Sequence, residues 1–173
     1  MNRRAITAPL AFLAMESMAY AAHRWVMHGV GWVLHRSHHA RSAGALEAND
    51  AFPVVFASLT VLTVALASRH RSLGGLRAAG AGVTAYGAAY GFVHDIYIHA
   101  RLGRLPRVRP LEYLKEAHRI HHLFGGEPYG MLVPIVPAGA RRRAAKLARR
   151  ASGLDPLSRG RSITGLRRAT ETA

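Results

Sequence analysis

The chain has 173 residues, half of them apolar, and a formal net charge of +15. It has no cysteine, which excludes a disulfide, an iron–sulfur cluster and a thiolate zinc site. The length suits one domain; long uncharged apolar runs set aside nucleic-acid binding, the class such a charge would otherwise suggest, and a cytoplasmic face against anionic lipid accounts for the charge better.

In chain order, Ile6 to Ala22 is an apolar run broken only by Glu16. The run is not a signal peptide, because His23-Arg24-Trp25 is no cleavage site. An ionisable residue within a membrane span is a functional candidate. Glu16 precedes His23 by nearly two helical turns, so the two share a face, and Glu16 could orient a ligand histidine or relay protons. Five histidines follow: His23, His28, His35, His38 and His39. Ala51 to Ser68 is an uncharged run of 18 residues, about 27 Å as a helix and close to the hydrocarbon thickness. Asn49 and Asp50 stand at its start. They could orient ligand histidines by accepting a hydrogen bond from the outer ring N–H, or act as an ordinary helix cap. Arg69 to Arg77 is a short loop in which His70 is a plain outer-side loop residue.

Ala78 to Val93, led in by Ser72 to Arg77, is rich in Gly and Ala. Small residues let backbones approach closely, so this span is expected at the centre of its bundle. His94 and His99 follow, with Asp95 a candidate partner for a ligand. The helix carrying His118, His121 and His122 is expected to start after Pro110, with Leu111, Leu114, His118 and His121 on a stripe facing the metal centre. Tyr129 to Ala140 is apolar but short, and Pro134 and Pro137 interrupt it. It reads as a re-entrant or interfacial piece, or as a fourth span if it crosses. The Arg141–Arg150 stretch suits a basic surface-lying helix, and the Ser/Gly/Arg-rich end suits disorder. The chain therefore divides into a membrane domain, residues 1–140, and a basic tail, residues 141–173.

Three spans put residues 23–50 and everything after residue 93 on one side. That side holds most of the Lys and Arg, so it is the cytoplasm, although Arg3 and Arg4 then lie outside. The expected fold is an all-α integral membrane bundle of three to four spans, capped on the cytoplasmic side by a histidine-rich di-metal site.

Ten of the eleven histidines fall in four clusters on that side. Each half of the chain has H-x4-H followed by H-x2-H-H. Residues i, i+3 and i+4 share one helix face, so the three imidazoles of each H-x2-H-H are expected to converge on one point. In H-x4-H the two residues are about 140° apart on an ideal helix. They can face the same way only if the helix ends or bulges, and Gly29 and Gly103 lie where it could fray. Imidazole suits zinc, iron, copper and nickel. One zinc needs about four ligands, so ten histidines fit two metals better. The Glu-x-x-His pairs of soluble di-iron bundles and the H-E-x-x-H of zinc proteases are absent.

These words, AHRWVMHGVGWVLHRSHH, LEANDAFPVVFA, GAGVTAYGAAYGFVHDIYIH and LKEAHRIHH, resemble the bacterial β-carotene hydroxylases, a branch of the fatty acid hydroxylase superfamily of membrane di-iron enzymes. The similarity covers roughly residues 16–122. It implies hydroxylation of the 3 and 3′ positions of β-ionone rings, β-carotene to zeaxanthin by way of cryptoxanthin. It also implies two irons, O2, and electrons from a separate donor such as ferredoxin. The metal ligands it implies are His23, His28, His35, His38, His39, His94, His99, His118, His121 and His122. Two departures loosen the inference about ring selectivity: Ala40-Arg41-Ser42 replaces the usual Glu-Pro-Arg, and GEPYGML follows the last cluster in place of Cys-Val-Ser-Phe-Gly.

A ring C–H bond is not acidic, so acid–base groups cannot break it at neutral pH; a dioxygen-activating iron centre can. The chain has no G-x-G-x-x-G and no P-loop, so its reductant is expected to be another protein, drawn by the basic face if that face does not simply hold lipid headgroups. Two other readings stay open. One is a hydroxylase or desaturase of a sterol, fatty acyl or sphingoid lipid. The other is a non-enzymatic histidine-rich metal carrier, against which stands the single carboxylate, Glu16, within the spans.

Overall fold

A computed structural model describes residues 3–40 and 46–152. All regular structure among them is helical: α1 (Arg3–Ala21), α2 (Trp32–His39), α3 (Ala51–Ser68), α4 (Gly74–Gly91), α5 (Arg109–Phe124) and α6 (Ala138–Ala151). Two wider-wound segments, Ala22–Val30 and Phe92–Ile98, continue α1 and α4. The Ser/Gly/Arg-rich end expected to be disordered, and Arg41 and Ser42 of the first departure, lie outside the described residues.

Helix α4 packs between α1 and α3, the central place its small residues suggested. A Cβ added at Gly82 would overlap the Ala8 carbonyl of α1, and one at Gly80 would overlap the Val64 side chain of α3. Glycine at these positions therefore sets the approach of both helices. Phe12 meets Tyr86 edge-on across the α1–α4 contact, with centroids 5.7 Å apart. Thr60, Thr63, Ser68 and Thr84 each donate to the carbonyl four residues back at 2.8 Å. A helix can thus carry hydroxyls through apolar surroundings without unpaired donors.

Helix α3 has the boundaries its apolar run foretold, and one helical stretch, Ala48–Ser68, is long and apolar enough to cross a membrane. Only 6% of its most apolar window is buried within the chain. Among the described residues it alone meets that measure, so the expected three to four spans reduce to one clear candidate. The reason is compositional: α4 is rich in Gly, carries two Tyr and includes Arg77, all of which lower its hydropathy, and α1 includes Arg3, Arg4 and Glu16. Between α5 and α6 there is no helix, and residues 125–137 run as an irregular strap. A fourth helical span over Tyr129–Ala140 is therefore absent. Helix α6 is basic and packs on α5, with Ala144 buried and the Arg143 guanidinium 4.4 Å from the Phe124 ring centroid.

The deepest part of the molecule is polar. Among the described residues, His23, His35, His38, His94, His118, His121 and Asn49 are all buried. Buried polar groups persist only when their partners are supplied, and none of the buried side-chain nitrogens or oxygens described lacks one.

Candidate metal centre

His23 and His28 lie in the first wider-wound segment, and His94 lies in the second, which His99 caps. In such a turn the backbone hydrogen bond runs from residue i+5 to residue i, and the His99 N–H donates to the His94 carbonyl at 3.0 Å. Residues five apart then stand nearly one above the other. The imidazoles of His23 and His28 come within 5.1 Å, and those of His94 and His99 within 4.7 Å, centroid to centroid. The bulge, rather than a frayed end, brings each pair together. Gly29 breaks the first segment with a non-helical conformation (φ −100°, ψ −115°), and the Gly31 N–H closes back on the Val26 carbonyl at 2.7 Å.

The H-x2-H-H words behave differently from expectation. Their three imidazoles do not converge on one point. His23, His28, His35, His39 and His121 form one group, and His38, His94, His99 and His118 form a second, with ligand atoms in each within 4.8 Å of one another. On a helix, residues i and i+4 are about 40° apart, whereas i+3 falls on the other side of i. Two adjacent centres therefore divide the word between them, and each half of the chain lends its middle histidine to the other half's group. His122 Nε2 lies 2.8 Å from His118 Nε2, and its ring stacks on His39 at 4.3 Å. It stands beside the second group, at the seam with His39 of the first.

The inner contacts all run between Nε2 atoms, at 2.8–3.3 Å: His23 with His35, His35 with His39, His28 with His121, His38 with His94, His99 with His118, and His118 with His122. The outer contacts run through Nδ1. His23 donates to the Tyr129 carbonyl at 2.9 Å, His35 to Asn49 Oδ1 at 2.7 Å and His121 to the Gly126 carbonyl at 2.6 Å. His38 Nδ1 meets Glu47 Oε2 at 3.1 Å, and His94 Nδ1 meets Asp95 Oδ1 at 3.0 Å. Carbonyl and carboxylate oxygens cannot donate, so Nδ1 carries the proton and the inward Nε2 is a lone pair. Lone pairs facing each other repel unless a cation lies among them. Ligand nitrogens about 2.0–2.1 Å from one ion, at right angles, are about 3 Å apart. The donor set fits two metal ions, and imidazole donors suit iron as one of several first-row metals.

Burial, and then the neighbouring imidazoles, lower the pKa of His23, His39 and His122 to about 2, of His121 to about 3, and of His28 and His99 to about 4. The same causes hold His38 and His118 well below the ordinary 6.5. These imidazoles are neutral at pH 7, as a ligand must be. Below pH 6.5 the unfolded chain binds more protons than the folded one, so stability falls as pH falls. The metal-free protein is expected to lose thermal stability between pH 6.5 and about 4, taking up more than one proton on unfolding. Calorimetry of the metal-free protein across that range checks it; a flat profile would contradict the neutral cluster.

The remaining candidates are placed as follows. Asn49 is buried against His35, and Asp95 meets His94. Asp50 touches no imidazole in these contacts: its carboxylate accepts the Glu47 N–H at 2.9 Å and the Arg101 guanidinium at 2.8 Å, forming a capping box at the start of α3. Glu16 likewise reaches no histidine directly. It accepts the N–H groups of Met131, Leu132 and Val133 at 2.9, 3.1 and 3.0 Å, and the Tyr86 hydroxyl at 2.7 Å. Glu16 thus pins the strap whose Tyr129 carbonyl holds His23. His70 is exposed, far along the chain from either group. Glu47, Arg101 and the carbonyls of Gly126 and Tyr129 escaped the sequence reading. Glu47 was legible as a carboxylate two residues before Asn49, but a main-chain acceptor has no residue-type signal at all.

A profile of the fatty acid hydroxylase family matches residues 8–136. A β-carotene hydroxylase of Pantoea ananas is 44% identical over 117 residues, 66% of this chain and 66% of that protein. A β-carotene hydroxylase of Pseudescherichia vulneris is 40% identical over 119 residues, 68% of this chain and 66% of that one. A chloroplastic β-carotene 3-hydroxylase of Arabidopsis thaliana is 36% identical over 129 residues, 71% of this chain and 42% of that one. The chain thus spans about two thirds of the length of the bacterial relatives. No solved structure matches it.

Proposed function

The chain belongs to the fatty acid hydroxylase family, and from that premise we propose that it hydroxylates the β-ionone rings of a carotenoid, converting β-carotene to zeaxanthin through cryptoxanthin. The observation that carries the reading is the pair of imidazole groups sharing one seam beside apolar helices, in a chain similar to β-carotene hydroxylases. Two irons held there would activate dioxygen, so that one oxygen atom enters the ring as hydroxyl and the other leaves as water with two electrons and two protons from outside.

The chain's own residues hold and shield. The ten imidazoles would hold the ions, and in His23, His35, His38, His94 and His121 an acceptor at Nδ1 turns the Nε2 lone pair inward. The Trp32 ring stands 5.2 Å from His28 and 5.5 Å from His39. The Tyr129 ring lies 5.1–5.4 Å from His23, His28 and His121. His28 is thereby bracketed by two aromatic faces. Trp32 is 40% exposed, and Trp25, Val30 and Val33 nearby are more so. This apolar rim suits a ring that arrives from lipid and has no polar group to grip.

Helix α3, apolar and almost unburied, is supported in lipid by the hydrophobic effect; α4, packed against it, and α1, packed against α4, cross beside it and leave the histidines facing the cytoplasm. Electrons come from a separate, ferredoxin-like protein. The test is pigment analysis of a β-carotene-producing bacterium expressing the chain. Zeaxanthin or cryptoxanthin is expected. Unchanged β-carotene, with iron-loaded protein in the membrane and a ferredoxin supplied, would move the assignment to another lipid.

A further inference from the structure

The two imidazole groups differ in what stands behind them. In the first, His23, His35 and His121 donate to neutral oxygens: the Tyr129 carbonyl, Asn49 Oδ1 and the Gly126 carbonyl. On the strap behind them, Glu127 pairs with Arg24 at 3.1 Å and Glu16 is taken up by three strap N–H groups, so neither carboxylate meets an imidazole of this group in these contacts. In the second, His38 and His94 donate to carboxylates, Glu47 and Asp95. A carboxylate behind a ligand imidazole raises its basicity and fixes its orientation, and removing such a partner typically costs 10–100-fold in metal affinity.

One side chain ties these carboxylates together. The Arg101 guanidinium lies 2.8 Å from Asp50, 3.4 Å from Glu47 and 3.6 Å from Asp95. Its reach depends on an unusual backbone. Ala100 has φ +54°, a region L residues rarely enter, and the Arg101 N–H returns to the Asp95 carbonyl at 3.0 Å. A residue held so costs strain that the surroundings must offset, and here the turn aims Arg101 back at the carboxylates. Three carboxylates against one guanidinium leave this shell negative, and two of them accept from ligand imidazoles directly, whereas the oxygens that accept from the first group's imidazoles are all neutral. The first group has five imidazoles and the second four, with His122 beside His118, so the count of imidazoles does not itself favour the second.

We propose that the two groups are unequal metal sites, and that the one built on His38, His94, His99 and His118 binds its ion more tightly because Glu47 and Asp95, clasped by Arg101, stand behind it. Arg101 is then a positioning residue acting through two carboxylates on two elements. The inference rests on the two-metal reading above but not on the identity of the lipid.

The test uses the full chain in detergent, stripped of metal and titrated with Co2+ under chelator competition. Two equivalents are expected, one retained at chelator concentrations that remove the other. Glu47→Gln and Asp95→Asn keep an acceptor oxygen but lose the charge; each is expected to weaken the retained equivalent 10–100-fold and leave the other unchanged. His28→Ala is expected to remove the weaker equivalent alone. Arg101→Gln is expected to loosen the tighter site, with partial rescue by Arg101→Lys. Two equivalents of one affinity, or carboxylate variants that weaken both sites or neither, overturn the inference while leaving the two-metal reading standing. No Co2+ uptake at all overturns both. Because Glu47 and Asp95 lie on different elements, failure of one variant to fold leaves the other to decide.

Discussion

His121→Ala is expected to abolish hydroxylated pigment in the β-carotene-producing host and to lower bound metal from two equivalents to one. The His121 Nε2 faces His28 at 3.1 Å within the first group, although it comes from the second half of the chain. Its Nδ1 also holds the Gly126 carbonyl at 2.6 Å. Alanine therefore removes an inward donor and frees the start of the strap together. Changes merely behind a ligand cost 10–100-fold, so loss of the donor itself should exceed about 100-fold in activity. His38→Ala should lose the other equivalent, because His38 faces His94 at 2.9 Å in the second group. The two variants together test the exchange of middle histidines. His70→Ala, at an exposed turn, should hydroxylate as the wild type does. Full activity of His121→Ala or His38→Ala would remove that histidine from the centre.

Glu16→Ala is expected to reduce both stability and turnover, from a position that touches none of the imidazoles in these contacts. The substitution strips the acceptor from three strap N–H groups and from the Tyr86 hydroxyl. A donor left unpaired away from water costs about 1–3 kcal/mol, and of these only the Val133 N–H lies at an exposed position. With the strap loosened, His23 loses the Tyr129 carbonyl that fixes its tautomer, and activity is expected to fall about 10–100-fold. Glu16→Gln, which keeps one carbonyl oxygen but sets an NH2 against donors, should lie between alanine and wild type. Melting temperature and hydroxylated pigment per unit of protein are the readouts. A Glu16→Ala protein with wild-type values for both would show that the strap stands without it.

Much of the molecule was legible in the residues. The uncharged run over residues 51–68 has only one way to satisfy its backbone in apolar surroundings, and α3 has those bounds. Glycine and alanine in the next run implied close approach, and Gly80 and Gly82 lie against Val64 and Ala8. Pro110 marked the first turn of α5. The clustering of ten histidines implied a shared centre, since imidazoles spaced along the chain at helical intervals must occupy common faces.

Other features depended on the tertiary structure. Helical periodicity supplies an angle around one ideal axis, and it put His23 and His28 about 140° apart; only the wider turn, which packing stabilises and no residue type announces, brings them together. The same periodicity made each H-x2-H-H a single cluster, because a helix viewed alone has one centre before it. Two centres side by side split the word, and the second centre comes from the other half of the chain. Asp50 and Glu47 could not be told apart as partners of a histidine from residue type. The capping geometry at the start of α3 turns Asp50 to the backbone and to Arg101, and leaves Glu47 facing His38. Sequence thus determined which side chains could bind metal and which runs were apolar, because both are properties of single residues and their spacing. Tertiary structure decided how the histidines were shared and what stood behind each, because those depend on backbone carbonyls and distant elements meeting in space.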